Sequence, residues 1–494
     1  MSEPLTLPIE DRAAENAPRG RWSRTKQLLA EHFDSLASGA VPWKRNRYYH
    51  KELAQFVGFL VPNHSHVLEI GCGDGGLLAF LRPRRGVGID LSEGMVRRAA
   101  QQHPELHLVQ GDAEDLPASG EFDYVILSDL LGYLEDAQAA FDNLHRVSSS
   151  ETRVIITYFN YLWEPVLSLA QKLRLMTPQR RQNWLALADI ENLLFLSNFE
   201  VIRSGYRLLL PKWIPGISWV ANHLVAKLPG IRKLCLVQYV VARPSVRRPT
   251  EPARYSASVI IPCRNERGNI ESAVARMPRM GRSTELIFVD GNSTDGTAAE
   301  IERVAREYSG QWPIALLPQG NGTGKGDAVR KGFAAATGDV LMILDADLTV
   351  PPEDLPKFFD ALTSGKGEFI NGTRLVYPME RQAMRTLNLL GNKFFSLAFT
   401  WLLEQRFRDT LCGTKVLFKR DYEKIAANRH YFGDFDPFGD FDLIFGASRL
   451  NLKIVEVPVR YRERTYGVTN IKRFSHGWLL LRMCGVAFYK LKLN

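Results

Sequence analysis

Twice along this chain, apolar runs of strand length alternate with stretches of helical periodicity. The first series places strands at His66–Ile70, Val87–Asp90, Leu106–Gln110, Tyr124–Leu127 and Arg153–Tyr158, with Leu234–Ala242 closing the unit. Helices are expected at Leu77–Leu81 and Glu93–Gln101, and ahead of the series over Trp22–Leu60. The second series has strands at Ser258–Ile261, Glu285–Val289, Ala315–Leu317 and Asp339–Leu344, with helices at Ile270–Met277, Ala298–Tyr308 and Lys325–Ala336. A strand that must cross over through a helix before pairing again pairs in parallel. The fold class is therefore α/β, with two doubly wound nucleotide-binding domains in series. Between them, Arg243–Arg254 is rich in Pro and charge and has no apolar periodicity, as a linker would. The expected division is a disordered polar tail over 1–20, one domain over 21–243, a linker over 244–256, a second domain over 257–465 and an apolar, basic segment over 466–494.

Composition enters where it limits partners and compartment. A formal net charge of +9 on 494 residues favours anionic partners. The basic runs lie in the linker and the second half rather than around the first glycine loop, which argues against nucleic acid. The five cysteines are scattered without metal spacing, as expected in a reducing compartment. The first twenty residues lack the apolar core of a secretory signal, and no apolar run reaches the ~18 to 20 residues of a membrane span. A cytoplasmic protein, peripheral on the cytoplasmic face of a membrane, is the expected location.

In the first half, VLEIGCGDGG ends a strand in Glu69 and follows it with Gly71, Gly73, Gly75 and Gly76. The next strand ends in Asp90, roughly twenty residues on, where a carboxylate can accept from both ribose hydroxyls. The third ends in GDAEDLP, with Asp112 placed to accept from an adenine amino group, and FDYVILSDLLGYLED follows. Residues of about 45–243 resemble the class I S-adenosylmethionine-dependent methyltransferases. The resemblance implies that Glu69, Gly71 and Gly73 approach the methionine part of S-adenosyl-L-methionine, Asp90 the ribose, and Asp112 with Ala113 the adenine. A nicotinamide-dinucleotide fold is the competitor, but GxGxGG lacks the GxGxxG spacing that sets a pyrophosphate on a helix N-terminus. Acceptor contacts in that family come from the N-terminal helices and the segment after the fourth strand, which nominates Tyr48, Tyr49, His50, Ser128, Asp129 and Tyr133. His50 is a candidate general base, although a histidine amid tyrosines is more often packed. Gly205–Gly230, rich in Trp, Leu, Lys and Pro, reads equally as an apolar acceptor pocket or as a contact between domains.

In the second half, GDVLMILDADLTVPP carries two carboxylates at a strand end, Asp345 and Asp347. Residues two apart on a regular strand face opposite ways, so these converge only if the chain bends at Ala346. Two hard oxygen donors beside substrate phosphates suit Mg²⁺ or Mn²⁺. Four further loops belong with them: SVIIPCRNE with Pro262 and Glu266, LIFVDGNSTDGT with Asp290, NGTGKGDAVRKG with Lys325 at a helix start, and FINGTR with Arg374. Together, residues of about 257–465 resemble the family 2 glycosyltransferases of GT-A fold, and most of all the dolichyl- or polyprenyl-phosphate sugar synthases. This implies nucleotide contacts from Pro262, Glu266 and Asp290 on a UDP- or GDP-linked sugar, and metal-diphosphate contacts from Asp345 and Asp347. It also implies an acceptor-side segment in DTLCGTK and phosphate clamps from Arg464 and Lys472. Gly291 stands where the family usually has a second aspartate, and Thr349 where some lipid-phosphate synthases carry a Gln. A lipid phosphate needs no strong base; for a hydroxyl acceptor, Asp440 or Asp442 is the candidate, with a helix N-cap and first-turn carboxylate equally open for that pair.

Leu387–Leu403 and Gly477–Asn494 are apolar, the first with Asn388, Asn392, Ser396 and Thr400 recurring every fourth residue as one polar stripe. A bilayer interface is favoured for both over burial against the catalytic domain or a dimer partner. The expected whole is a bifunctional enzyme that transfers methyl from S-adenosyl-L-methionine and, with a metal, transfers a sugar from a nucleotide-sugar to a polyprenyl phosphate or related envelope acceptor. The alternative is one active half with the other a degenerate tethering module.

Overall fold

A computed structural model describes residues 22–39, 46–172, 183–245, 254–374, 386–410, 412–429, 440–459, 462, 464, 466 and 473–492. The chain forms two compact units, Met1–Ser245 with the last two residues, and Val246–Lys492.

The first unit holds seven strands: β1 His66–Ile70, β2 Arg85–Asp90, β3 His107–Gln110, β4 Phe122–Ser128, β5 Ser148–Phe159, β6 Phe199–Arg207 and β7 Val237–Pro244. Their order is β3-β2-β1-β4-β5-β7-β6. β1 runs parallel to β2 and to β4, with Leu68 opposite Val87 and Val125. β7 enters antiparallel between β5 and β6. The central strands are near-continuous apolar runs because helices cover both faces of the sheet, and Leu68, Val125, Leu127, Val154 and Ile156 are buried in one core. β6 was not expected from the sequence. Its residues Glu200, Arg203, Ser204 and Arg207 break the apolar pattern of a strand, and tertiary pairing with β7 overrides that weak local signal.

The second unit also holds seven strands: β8 Ser256–Cys263, β9 Ser283–Asp290, β10 Ile314–Pro318, β11 Val340–Ile343, β12 Phe369–Thr373, β13 Lys415–Phe418 and β14 Ile454–Pro458. Their order is β10-β9-β8-β11-β13-β12-β14, with β13 antiparallel to both β11 and β12. Each sheet reverses its strand order beside its first strand, at β1/β4 and at β8/β11. Those switch points leave a crevice beyond the strand ends.

Among the described residues no helix is long and apolar enough to cross a membrane. The helix Thr386–Leu403 corrects the sequence reading of its polar stripe. Ser396 and Thr400 both donate to the carbonyl of Phe407, at 2.7 and 2.9 Å, so these two members of the stripe face protein. Phe395, Phe399, Leu402 and Leu403 are buried, and Trp401 stacks on Phe488 of the helix Arg473–Lys492. Much of the apolar surface expected at a bilayer is thus used inside the unit, although Phe394 and Leu397 remain exposed.

Candidate functional site

In the first unit a cavity of about 1080 Å³ opens at the β1/β4 switch point. After β1 the chain turns through Gly71 and Gly73, both at positive φ, and a side chain on Gly71 would come within 2.8 Å of Leu130. Gly71 donates to the carbonyl of Ile89 at 2.7 Å, and the N–H of Gly73 donates to Asp90 at 2.8 Å. The other Asp90 oxygen accepts from Ser92 N–H at 2.9 Å, so one carboxylate ties the glycine loop to the end of β2. Burial raises the Asp90 carboxyl, against these two donors. Glu69 is buried on β1, and its burial, with Asp74 nearby, holds its carboxyl well above the usual range. Its Oε2 is buried with no hydrogen-bond partner.

Asp112 and Ala113 also line this cavity. Asp112 accepts from Lys26 at 2.6 Å, and Lys26 also binds Glu114 at 2.8 Å. Lys26 belongs to the helix Arg24–Ser38, whose Asp34 accepts from Ser92 Oγ at 2.6 Å and from Gly94 N–H at 2.8 Å. That helix therefore lies along the carboxyl edge of the sheet. Its place there was not legible in the sequence, because Lys26 and Asp112 are 86 residues apart.

Past β4, Asp129 takes a positive φ of 54°, a strained conformation for a residue with a side chain. Both its carboxylate oxygens accept from the Tyr49 hydroxyl, at 2.9 and 2.7 Å. Burial pushes its carboxyl up to about 7, against the hydrogen bond from Tyr49. Tyr49, His50, Ser128 and Tyr133 share the cavity wall, and burial lowers the His50 imidazole, with Asp74 opposing. Tyr48 differs: it accepts from Asn222 at 3.1 Å and does not line the cavity.

In the second unit the bend expected at Ala346 is a turn closed by Leu348 N–H donating to the Asp345 carbonyl at 3.1 Å, with Leu348 at φ 52°. Asp345 accepts from Lys325 at 2.6 Å. Burial alone would raise its carboxyl, but Lys325, with Lys415 and Arg374 adding, brings it below the ordinary range. Asp347 accepts from Thr349 Oγ1 at 2.8 Å on one oxygen and from Arg464 at 2.6 Å on the other. Arg464 also reaches Glu266 at 3.4 Å, and Asn269 donates to Glu266 at 2.7 Å. Burial raises the Glu266 carboxyl more than Arg464 lowers it. Pro262 lies opposite Val289 in the β8/β9 register, one residue before Cys263 pairs with Asp290. Asp290 accepts from Ser293 N–H at 3.2 Å through Oδ2, while its Oδ1 is buried without a partner.

Two features here were missed in the sequence. Gly413, inside DTLCGTK, lies so close that a Cβ would stand 2.0 Å from Asp345 Oδ2 and 2.5 Å from Lys325 Nζ. Gln319 donates to Gly324 O at 2.8 Å and Asp327 at 3.0 Å, bracing the glycine loop that carries Lys325. Neither a glycine nor a glutamine carries a signature that names its contact.

A family model described as a methyltransferase domain matches residues 44–204, and one described as glycosyl transferase family 2 matches residues 258–425. The chain joins a methyltransferase domain to a family 2 glycosyltransferase domain. Within the second, the dolichol-phosphate mannosyltransferase of Saccharomyces cerevisiae is 40% identical over 110 residues, covering 21% of this chain and 40% of that protein. An undecaprenyl-phosphate 4-deoxy-4-formamido-L-arabinose transferase of Edwardsiella ictaluri is 36% identical over 216 residues, 42% of this chain and 61% of the relative. The chain thus spans less than two thirds of the length of each. A solved S-adenosylmethionine-dependent methyltransferase of Thermotoga maritima aligns over 44% of this chain and 99% of its own at 17% identity and a TM-score of 0.36.

Two expected residues of the glycosyltransferase domain are held by counter-ions. Arg374 was to serve the diphosphate edge, but it is buried in a bidentate ion pair with Asp409, at 2.7 and 2.8 Å. Its charge helps to lower the Asp345 carboxyl. Asp442 was a candidate base; it sits in the first turn of the helix Asp440–Arg449, buried and paired with Arg429 at 2.8 Å. Lys472 lies outside the described residues.

Proposed function

We propose that the chain is bifunctional: it transfers a methyl group from S-adenosyl-L-methionine, and it transfers a sugar from a UDP- or GDP-linked donor to a polyprenyl phosphate or related envelope acceptor with Mg²⁺ or Mn²⁺. The observation that carries this reading is the set of carboxylates at the strand ends of both sheets: the buried atoms Glu69 Oε2 and Asp290 Oδ1 lack partners, Asp345 is held by Lys325, and Asp347 by Arg464 and Thr349. A tethering module would have no reason to keep such costly groups. On this reading both active sites face the cytoplasm, and attachment to the membrane is peripheral.

In the methyltransferase domain the residues fit the cofactor. Glu69 presents its unpaired oxygen to the methionine ammonium, and Asp90 has lone pairs left for the ribose hydroxyls. Asp112, beside Ala113, reaches the adenine amino group once Lys26 yields. The bound cofactor supplies an electrophilic methyl on sulfonium. Asp129, held by Tyr49, takes the proton of an acceptor hydroxyl. Asp129→Asn is expected to lower methyl transfer about 10²- to 10⁴-fold. In the wild type the rate falls as pH drops through about 7, because the base must be ionised. Transfer of labelled methyl to extracted envelope lipids across that range measures both. A flat pH profile with an active Asn variant removes Asp129 from the chemistry.

Asp90→Ala is expected to weaken S-adenosyl-L-methionine by about 10²-fold or more, since it removes two acceptors and strands the N–H groups of Gly73 and Ser92. Calorimetric titration of the folded wild type and variant decides it: negligible heat from the wild type would make this half a degenerate module.

In the glycosyltransferase domain the donor set fits a small hard cation. Among the described residues no group of three or more His, Cys, Asp or Glu is arranged to hold a metal ion, and on this reading the ion would rest on Asp345, Asp347 and the donor's phosphates. Bound there, it neutralises the departing diphosphate. Lys325 pairs with Asp345 and Arg464 with Asp347, and both cations are in place to take the phosphates when these arrive. Pro262, Glu266 and Asp290 frame the nucleoside.

A further inference from the structure

The helix Ile217–His223 of the methyltransferase domain is built inside out. Its buried residues are Ser218 and Asn222, at 1% and 4% exposure, while Ile217, Trp219 and Val220 are 59%, 53% and 44% exposed. The polar pair does the internal fastening. Ser218 Oγ accepts from Ile214 N–H at 2.6 Å and donates to Lys212 O at 2.7 Å. Asn222 accepts from Leu210 N–H at 2.8 Å and donates to Leu210 O at 2.9 Å and to the Tyr48 hydroxyl. A helix that served the core of this domain would show the opposite arrangement.

The exposed apolar surface extends beyond this helix. Trp213 is exposed just before it. Trp163 Nε1 donates to Leu234 O at 2.8 Å, which sets the helix Glu164–Lys172, with exposed Val166 and Leu169, beside exposed Leu234. Val166 and Ile214 are exposed and also line the cavity, as do Leu167, Leu210 and Leu236. The outer apolar rim and the inner apolar wall are therefore one surface, which runs up to Asp129 and the glycine loop. At about 1080 Å³ the cavity is at the upper end for a small-molecule site, so it has room for more than a methyl donor.

Charge selects the occupant of the rim. No Asp or Glu occurs from residue 201 to 250, whereas Lys212, Lys227, Arg232 and Lys233 lie among the exposed apolar side chains. The helix Glu164–Lys172 adds one exposed carboxylate, Glu164, but Trp and Leu interleaved with an excess of Lys and Arg match the headgroup boundary of an anionic bilayer. Single exposed apolar residues need no explanation, but a contiguous rim at the mouth of an apolar cavity does. We propose that this rim seats the methyltransferase domain on an anionic lipid surface, and that the cavity takes the apolar chain of a membrane-borne methyl acceptor. The proposal rests on the methyl-transfer reading above and names its substrate class.

The test is hydrogen exchange on the full chain with vesicles of phosphatidylcholine alone or mixed with phosphatidylglycerol, alongside calorimetric titration of S-adenosyl-L-methionine. The local readout is needed because the glycosyltransferase domain has exposed apolar residues of its own, Phe394 and Leu397. Amides of 211–224 and 162–172 are expected to exchange about tenfold more slowly with the anionic vesicles only. Trp213→Ser, Ile217→Ser and Trp219→Ser together, all on the surface, remove that protection while leaving cofactor binding unchanged. If the vesicles bind but those amides exchange as in buffer, the proposal fails although the methyl-donor reading stands. Absence of vesicle binding overturns it equally. Protection that appears without lipid and grows with protein concentration makes the face an interface between copies, which also overturns it. Loss of cofactor heat in the wild type would instead sink the reading on which it rests.

Discussion

Changing Asp345 and Asp347 together to Asn is expected to cut turnover of every nucleotide-sugar by about a thousandfold or more. A cation at a departing diphosphate supplies several kcal/mol of transition-state stabilisation, and each ~1.4 kcal/mol is a factor of ten. The amides are neutral and cannot hold a hard divalent ion in water. They also release Lys325 and Arg464 from their ion pairs, at 2.6 Å each in the native protein. Both cations keep some access to water, so the stability cost is modest and the loss is one of chemistry. Release of nucleoside diphosphate from a panel of UDP- and GDP-sugars with Mn²⁺, with and without polyprenyl phosphate, gives the measurement. Chelator on the wild type should reproduce the variant's loss. Undiminished turnover in both would remove the paired carboxylates from the mechanism. Binding of S-adenosyl-L-methionine should be unaffected, since it uses the other domain.

The second large effect comes from one methyl group. Gly413→Ala would place its Cβ 2.0 Å from Asp345 Oδ2 and 2.5 Å from Lys325 Nζ, far inside contact distance. The backbone there is ordinary, so the problem is space alone. Either Asp345 rotates away or the Cys412–Lys415 segment withdraws. Lys415 resists the second course, because its ammonium is fully buried and donates to Cys412 O at 2.5 Å. Overpacking of this kind costs about 1–3 kcal/mol of stability. The larger consequence is geometric: a misplacement of about 1 Å at a reacting centre costs about 10²-fold in rate. Donor turnover should fall by that factor in a protein that still folds. An Ala variant with full activity would show that Gly413 and Asp345 separate during catalysis.

Both sites were legible in the sequence as strand ends. Asp90 and Asp290 end their strands, Glu69 stands one residue before the end of β1, Asp112 and Asp345 two residues beyond β3 and β11, and a doubly wound sheet sends its strand ends to one edge. The partners of those carboxylates were not. Arg464 meets Asp347 across 117 residues and Lys26 meets Asp112 across 86, and neither lies in a motif that names its contact. Arg374 and Asp442 were read as functional from position alone, and each is occupied by a counter-ion that only the fold supplies. The strand β6 escaped because its side chains are polar and its reason to exist is pairing with β7.

The amino-acid sequence by itself determined the two α/β units and the chemistry of their acidic edges, since strand period and strand-end residues are local properties. Only the tertiary structure decided which cation holds which carboxylate, that Gly413 must lack a side chain, and that the helix Ile217–His223 turns its apolar face outward. Its pattern of residues allows either face to be buried. The choice went to Ser218 and Asn222 because the carbonyls and N–H groups of residues 210–214 needed partners, and an unmet buried hydrogen bond costs more than an exposed tryptophan.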